Sequence, residues 1–321
     1  MIAIGDALEL RLVYRSYGGE NQKRRPPYFS KLLTLVSFLR AASRAPGADI
    51  IFLNDGPIPP ERLQLMERFG EPHFIDKGPV GMRRSYRCGL ALPDQLGWQD
   101  EDLVSYNEDD YLFTEEAFIA LEGAARELAS VSYFTLYDSS IDDDHPRGLR
   151  RHEIPRSWRA QPDLVVGQQR WRNIQATAST FSARVGALRQ DLDIFYQCMV
   201  PFRHRLLDTE TCLLYQGYVP YHGAELLTGL PGDFVLSPRG VIRAVGLFPF
   251  RVALNARARR QRRPHHLYAL TPSAATHLET GQITKDQDWF TEALQSVEWA
   301  EKQGMDHASD TIRRTLNRAA Q

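Results

Sequence analysis

The first 130 residues alternate between two hydrophobic patterns, and this alternation limits the possible folds more than any other feature of the chain. Short apolar runs at Leu8–Ser16 and Ala48–Gly56 have the length and composition of strands. Between them, Tyr28–Ala45 repeats apolar residues at the spacing of a helix. Further strand candidates follow at His73–Asp76 and Glu101–Phe113, with helical patterns between and after them. This order predicts an α/β fold with a mostly parallel sheet flanked by helices.

Three of the predicted strands have polar residues at their carboxyl ends. They form the groups Arg15-Ser16-Tyr17, Asn54-Asp55-Gly56 and Glu108-Asp109-Asp110. Ligands of open parallel sheets bind beyond the carboxyl ends of the strands. We therefore expect the three groups to line one binding site.

The acidic triplet Glu108-Asp109-Asp110 is unusual because apolar and aromatic residues flank it on both sides. Carboxylates at a strand end suit Mg²⁺ or Mn²⁺, which prefer oxygen ligands and leave positions open for phosphate oxygens. The other interpretation is a solvated turn whose acids cap the following helix. A second acidic run, Asp142–Pro146, lies among Pro and Arg residues and is interpreted as a solvated loop.

Three stretches of the first 130 residues match a known pattern. Asn54-Asp55-Gly56 ends the second strand, Asp76–Leu90 reads "DKGPVGMRRSYRCGL", and the acidic triplet precedes an apolar segment and a helix. In these features the chain resembles nucleotide-sugar glycosyltransferases of the GT-A type and is similar to family 2. That family has a "DDG" or similar motif, a Lys-Gly loop with a helix ending in "N-x-G-L", and a DxD-like motif. The family's asparagine is replaced here, and the "EDD" form is similar to that of some N-acetylglucosaminyltransferases.

The resemblance implies a GT-A (Rossmann-like) fold and assigns roles on the donor side. Asp110 would be the direct ligand of an Mn²⁺ or Mg²⁺ ion, with Asp109 as the second candidate. The metal and nearby basic residues would stabilise the charge that grows on a leaving diphosphate. The residues expected to bind the nucleotide sugar are Arg15, Ser16, Tyr17, Asp55, Lys77, Arg83, Arg84, Glu108 and Asp109. For the Lys and two Arg residues after Asp76, ordinary surface positions are the alternative.

On the acceptor side, Leu206–Gly223 is similar to the family's pattern of an acid, a helix and "GY". The resemblance implies that Asp208 acts as general base on the acceptor hydroxyl, and Glu210 is its rival. A base opposite the leaving group gives inversion at the anomeric carbon. Acids also favour an ordinary helix N-terminus, which is the structural alternative. His222 resembles a late histidine that completes the metal or diphosphate site.

The resemblance and the change in composition divide the chain into two regions. We expect a GT-A catalytic domain at residues 1–235, with a donor-binding half at 1–130 and an acceptor half at 131–235. A basic, helical C-terminal extension would follow at 236–321. Within it, Arg251–His266 reads "RVALNARARRQRRPHH" and follows the apolar stretch "VIRAVGLFPF". This combination favours peripheral contact with an anionic membrane over nucleic-acid binding, and an ordinary surface or protein contact is the further alternative.

The expected compartment follows from the cysteines and the N-terminus. Three scattered cysteines without a CxxC pair favour a reducing environment. The first residues lack the pattern of a signal peptide, and no apolar run approaches the roughly 18 residues that span a bilayer. We expect a cytoplasmic protein, either free or peripheral on the inner membrane face.

These observations predict a metal-dependent, inverting glycosyltransferase. It would move a hexosyl or N-acetylhexosaminyl group from a nucleoside-diphosphate donor to a hydroxyl of a glycan or lipid-linked acceptor. One alternative is a nucleotidyltransferase-like enzyme, for which Arg15–Arg25 ("RSYGGENQKRR") would be the phosphate loop. The other is a non-catalytic GT-A-like scaffold that binds a glycan or a protein partner.

Overall fold

The computed structural model of the protein describes residues 8–20, 23–138, 155–199 and 206–319. The acidic run Asp142–Pro146 lies outside the described residues. The strands are β1 (Leu10–Tyr17), β2 (Asp49–Asp55), β3 (Glu71–Phe74), β4 (Leu103–Glu108), β5 (Tyr111–Phe113), β6 (Tyr133–Thr135), β7 (Leu164–Val166), β8 (Gln169–Asn173), β9 (Phe181–Arg184), β10 (Leu267–Thr271) and β11 (Ala275–His277). The helices are α1 (Lys31–Ser43), α2 (Pro60–Phe69), α3 (Met82–Gln95), α4 (Ala117–Glu127), α5 (Val185–Cys198), α6 (Asp208–Tyr215), α7 (Glu225–Thr228), α8 (Pro238–Arg260), α9 (Trp289–Lys302) and α10 (Asp306–Ala319).

The described residues form a main sheet of nine strands in the order β3-β2-β1-β4-β9-β6-β10-β8-β7. Strands β3, β2, β1 and β4 are parallel to one another, as the alternation of strand and helix patterns predicts. Strand β9 is antiparallel to both of its neighbours, and β6 and β10 pair in parallel. The α/β fold class is confirmed, with a parallel half followed by a mixed half.

The strand predicted over Glu101–Phe113 is interrupted at the acidic triplet. Strand β4 ends at Glu108, the chain turns at Asp109 and Asp110, and β5 then leaves the main sheet to pair with β11. In this small antiparallel pair, Tyr111 lies opposite His277. The turn therefore places the acids between the carboxyl edge of the parallel strands and a segment from the C-terminal part of the chain.

Helix α1 is buried on nearly every side, because it lies between the main sheet and helices α9 and α10. Leu35 and Phe38 belong to the core formed with the sheet, whereas Leu33 and Val36 belong to the core formed with the C-terminal helices. The helix begins after Ser30, whose Oγ accepts a hydrogen bond of 3.1 Å from the Leu33 N–H. The first turn of α1 is thus fixed next to the acidic triplet.

Residues 236–321, expected as a C-terminal extension, take part in the same sheet. Strand β10 lies between β6 and β8 in the main sheet, and β11 pairs with β5. Helix α9 packs against α1, and α10 packs against α9. The boundary expected at residue 235 therefore does not coincide with a break in the sheet or the core.

Candidate active site

Glu108, the first acid of the triplet, is the partly exposed one. It forms an ion pair with Arg15 of β1, and Ser179 Oγ donates to Glu108 Oε2 at 3.3 Å. The Arg15 guanidinium also lies 5.6 Å from the centre of the Tyr86 ring. The side chain of Glu108 is 23% exposed. Arg15 and Glu108, both predicted to bind the donor, therefore lie together at the ends of adjacent strands.

Asp109, the second acid, is buried and holds several segments together. One of its oxygens, Oδ2, accepts hydrogen bonds from the Tyr17 N–H at 2.7 Å and from Ser16 Oγ at 3.3 Å. The same oxygen lies 2.9 Å from Lys31 Nζ and 3.9 Å from an Arg62 nitrogen. Asp109 thus joins the end of β1 to the first turn of α1 and to α2. Ser16 and Tyr17, predicted to line the donor site, direct their polar groups to this carboxylate.

Asp110, the third acid, is also buried and lies among cationic groups. Its Oδ2 is 2.8 Å from an Arg25 nitrogen, 3.0 Å from Lys23 Nζ and 3.1 Å from His277 Nε2. Burial raises the pKa of Asp110, but His277, Lys23 and Arg25 together hold this pKa well below its usual value. Asp110 Oδ1 is buried and has no hydrogen-bond partner among the described residues.

The histidine at the triplet is His277, and the sequence interpretation missed it. Its ring stacks on Tyr111 with a centre-to-centre distance of 4.9 Å, and its Nδ1 lies 2.8 Å from Gln282 Oε1. His222, predicted for this role, instead follows α6, where its N–H donates to Glu225 Oε2 at 2.8 Å. None of the contacts described for His222 reaches the triplet. His277 arrives through the pairing of β5 with β11, for which the short segment "ATH" gave no sufficient signal.

Asp55, predicted to bind the nucleotide, uses both carboxylate oxygens to hold the loop before α3. Oδ1 accepts from the Val80 N–H at 2.6 Å, and Oδ2 accepts from the Gly81 N–H at 3.1 Å. Gly81 has a φ of 86°, a value that favours glycine. Asp55 is only 5% exposed. Its described contacts therefore position the loop that carries Lys77.

The three basic residues predicted near the diphosphate lie on or after this loop. Lys77 is exposed and lines an open cleft of about 490 Å³ together with Phe74 and Asp76. Arg84 forms an ion pair of 3.6 Å with Asp76, and its side chain is 64% exposed. Arg83 is half-buried in the first turn of α3. The described contacts of Lys77 and Arg84 are thus with this loop and not with the acidic triplet.

Asp208 and Glu210 both lie in the first turn of α6, as predicted, but their surroundings differ. Glu210 is buried, and its Oε1 accepts a hydrogen bond of 2.7 Å from the Tyr221 hydroxyl. Asp208 is half-buried and lines a small cavity with Tyr86 and Cys212. Burial, and then the charge of Asp208, raise the pKa of Tyr86 well above its usual value.

A chain of contacts links Asp208 to the acidic triplet. Glu108 pairs with Arg15, the Arg15 guanidinium lies over the Tyr86 ring, and Tyr86 and Asp208 line the same cavity. The structure therefore brings the predicted base and the first acid of the triplet to one edge of the sheet.

A second cleft, of about 470 Å³, opens at the opposite edge of the parallel strands. Its lining includes Arg11, Asp49 and Asp102, which lie at or next to the amino ends of β1, β2 and β4. It contains none of the residues predicted for donor binding. Because ligands of parallel sheets bind at the carboxyl edge, the edge with the triplet is the better candidate for the active site.

The residues at the triplet are a poor fit to an Mn²⁺ or Mg²⁺ ion. Across residues 8–20, 23–138, 155–199 and 206–319, no three His, Cys, Asp or Glu side chains are grouped so as to hold a metal. Each acid of the triplet already contacts a fixed cation, and the pairs are Glu108 with Arg15, Asp109 with Lys31, and Asp110 with Lys23 and Arg25. Asp110 Oδ1 is the one buried carboxylate oxygen of the triplet without a partner in the described residues. The predicted metal dependence remains a prediction.

Comparisons with known proteins give distant structural likenesses. No protein-family model matches the chain, and no curated protein matches it. The crystal structure of S. aureus TarS 1–349 has 14% sequence identity to this chain and a TM-score of 0.40. The match covers 64% of this chain and 56% of that one. The same TarS segment in complex with UDP-GlcNAc has 12% sequence identity to this chain and a TM-score of 0.39. That match covers 90% of this chain and 66% of the TarS chain.

A second protein among the solved structures covers nearly the whole chain. An active-site mutant of LgtC is 14% identical, covers 91% of this chain and 95% of that one, and has a TM-score of 0.40. LgtC has also been crystallised as a galactosyltransferase with donor and acceptor sugar analogues, at 13% identity and a TM-score of 0.39. Likenesses of this strength do not establish an activity.

Proposed function

We propose that this protein is a GT-A-type glycosyltransferase that uses a nucleoside-diphosphate sugar. The observation that carries the proposal is the arrangement at the carboxyl edge of β1 and β4, where Arg15, Lys23 and Arg25 are held by acids of the triplet. Fixed cations at this edge of a parallel sheet suit the two phosphates of such a donor.

These cations would stabilise the leaving group. When the bond between the anomeric carbon and the phosphate oxygen breaks, its electron pair stays on the diphosphate. Donors that are already in position lower the energy of this developing charge without further reorganisation. Lys23 is 36% exposed and Arg25 is 12% exposed, so both border solvent while Asp110 stays buried.

Asp208 is proposed as the general base. The acceptor oxygen forms the new bond to the anomeric carbon, and its proton passes to the Asp208 carboxylate. A base must reach the hydroxyl directly or through one water, and the half-buried Asp208 is more accessible than the buried Glu210. Glu210 accepts a hydrogen bond from the Tyr221 hydroxyl and thereby positions the segment after α6. Attack from the side opposite the diphosphate gives inversion.

The acceptor is proposed to be a lipid-linked glycan at an anionic membrane surface. The exposed face of α8 and Leu236, two residues before the helix, form an apolar stripe. It consists of Leu236, Val241, Ile242, Val245, Phe248 and Val252. Four of these residues follow the three- and four-residue spacing of one helix face. Arginines 259, 260, 262 and 263 lie at the C-terminal end of this helix and are exposed, which suits anionic headgroups.

This surface overlaps the segment predicted for membrane contact, Arg251–His266, and extends before it. Arg251 is only 4% exposed, and its guanidinium donates to the Leu226 and Leu227 carbonyls. The exposed apolar residues come mainly before it in the chain. No helix within the described residues is long and apolar enough to cross a bilayer.

A thermal-shift panel tests the proposed donor. It would contain UDP-GlcNAc, other nucleotide sugars, UDP and nucleoside triphosphates, each with EDTA and with Mn²⁺. At a hundredfold excess over its dissociation constant, a ligand adds about 2.7 kcal/mol to the free energy of unfolding. We expect at least one nucleotide sugar to raise the melting temperature. A response restricted to nucleoside triphosphates would favour the nucleotidyltransferase alternative and contradict the proposal.

A further inference from the structure

The ammonium group of Lys23 lies beside two carboxylates and a histidine ring. Lys23 Nζ is 3.0 Å from Asp110 Oδ2, 3.2 Å from His277 Nε2 and 3.6 Å from Glu279 Oε2. Asp110 and His277 lie within hydrogen-bond distance of this ammonium, whereas Glu279 is only at ion-pair distance. At least one of its three N–H donors therefore has no hydrogen-bond partner within the described residues and can face a ligand. The spacing is that of hydrogen bonds and ion pairs, whereas Mg²⁺ requires ligands at about 2.1 Å.

The groups around Lys23 are held in place by their own contacts. His277 stacks on Tyr111, and its Nδ1 lies 2.8 Å from Gln282 Oε1, which turns Nε2 toward Lys23. The Leu278 N–H donates to the Asp110 carbonyl at 2.9 Å. The group is therefore built by the pairing of β5 with β11 and not by flexible surface side chains.

The segment that carries Lys23 is fixed to the same part of the fold. The Thr280 N–H donates to the Arg24 carbonyl at 2.8 Å. Arg25 donates to the Leu278 carbonyl at 2.8 Å and to Asp110 Oδ2 at 2.8 Å, and its guanidinium lies 4.4 Å from the centre of the Phe29 ring. Two cations are thus placed beside Asp110 by backbone and side-chain contacts.

Both carboxylates at this group are already paired with cations. Asp110 pairs with Lys23 and Arg25, and Glu279 pairs with Lys23. A divalent ion at Asp110 would lie within a few ångströms of both cations, where like charges repel strongly. It would have to displace Lys23 in order to use Asp110 Oδ2 and His277 Nε2.

We propose that Lys23 is the cation that faces the leaving diphosphate, and that the protein binds and uses its donor without a divalent ion. Asp110, His277 and Glu279 orient the ammonium, and Arg25 supports it. The identity of the ligand rests on the proposed function, whereas the exclusion of a metal from Asp110 does not. This assignment departs from the Mn²⁺ or Mg²⁺ that the sequence resemblance implies.

Direct titration with Mn²⁺ tests the exclusion of a metal, with no donor present. Calorimetry of the wild-type chain with roughly millimolar Mn²⁺ should detect no saturable site. A one-to-one site in the wild type that disappears in Asp110→Asn would overturn the proposal. This measurement does not depend on any glycosyltransferase activity.

Binding of UDP tests the role of Lys23. The stabilisation of the wild type by UDP should be equal in EDTA and in Mn²⁺. Lys23→Met should weaken UDP binding about 10- to 100-fold, because it removes a charged hydrogen-bond donor, and Mn²⁺ should not restore the binding. Lys23→Arg should retain most of it. Arg24→Met, which removes the neighbouring exposed charge, is the matched control and should bind UDP as the wild type does.

The results separate this inference from the proposed function. Binding of UDP that requires Mn²⁺ in the wild type would refute the role of Lys23 and leave the glycosyltransferase proposal intact. Equal losses in Lys23→Met and Arg24→Met would refute a specific role for Lys23, because the effect would then be one of net charge. Absence of UDP binding under every condition would refute a UDP donor, and the titration with Mn²⁺ alone would still decide whether Asp110 holds a metal.

Discussion

Replacement of Asp109 tests whether this carboxylate stabilises the fold or serves as a metal ligand. Asp109 is 5% exposed, and it neutralises Lys31, whose side chain is 2% exposed. Asp109→Ala would leave this buried ammonium without its counter-charge. The Tyr17 N–H, which donates to Asp109 Oδ2 at 2.7 Å, would also lose its acceptor.

The magnitude follows from the cost of breaking a buried ion pair. Removal of one partner from such a pair typically costs 3–5 kcal/mol. Lys31 Nζ also donates to the Tyr17 carbonyl at 2.8 Å and to the Gly19 carbonyl at 2.6 Å, so it keeps two partners. We therefore expect a loss at the lower end of that range, about 3 kcal/mol in the free energy of unfolding. This corresponds to a fall in melting temperature of roughly 5–10 °C.

Urea unfolding of three variants measures this effect. Asp109→Ala should lower the free energy of unfolding by about 3 kcal/mol, and the double variant Asp109→Ala/Lys31→Met should recover part of the loss because no unpaired charge stays buried. Glu108→Gln is the matched control, since its pair with Arg15 is more exposed and should cost less than about 1 kcal/mol. A loss below about 1 kcal/mol for Asp109→Ala would refute the structural role.

Three further predictions concern the base, its neighbour and the membrane surface. Asp208→Asn should abolish sugar transfer while UDP still raises the melting temperature. Unchanged turnover would show that another residue is the general base. Tyr221→Phe should lower the free energy of unfolding by about 1.5–3 kcal/mol, because Glu210 loses a buried hydrogen bond. Urea unfolding measures this loss, and an unchanged free energy of unfolding would mean that the hydroxyl is dispensable. Ile242→Glu should reduce co-sedimentation with anionic vesicles, whereas Leu294→Glu, an exposed apolar position on α9, should not; equal binding by both would argue against the apolar stripe.

The parallel half of the fold was predictable because its signals are local. Each strand and helix of the first 130 residues has its own hydrophobic period, and short crossovers leave few possible arrangements. The carboxyl edge could then be inferred without any long-range information. Arg15, Ser16, Tyr17 and the acidic triplet do lie together there, as expected.

The part that could not be predicted depends on contacts between distant segments. His277 is 167 residues from Asp110, and only the pairing of β5 with β11 brings them together. Lys23 and Arg25 lie in a stretch that reads as a polar, Gly-rich loop, and no periodic pattern indicates where their side chains point. Strand β10 enters the main sheet from a segment expected as an extension, because five residues carry too weak a signal to assign a partner strand.

Two acids that the resemblance assigns to the donor site also hold the fold together. Asp55 holds the loop before α3 with both oxygens, and Asp109 holds β1 and α1. Acidic residues at a strand end can therefore organise the surrounding backbone as well as bind a ligand. Their identity in the sequence does not reveal these structural contacts, which depend on residues far away in the chain.

Calorimetric titration of UDP into variants of the two opposite edges of the sheet tests whether the carboxyl edge binds the donor. Arg25→Ala changes the carboxyl edge at the acidic triplet, and Arg11→Ala changes the cleft at the amino edge. We expect one UDP site in the wild type, with affinity about tenfold or more weaker in Arg25→Ala and unchanged in Arg11→Ala. Binding that is lost in Arg11→Ala and retained in Arg25→Ala would contradict this expectation.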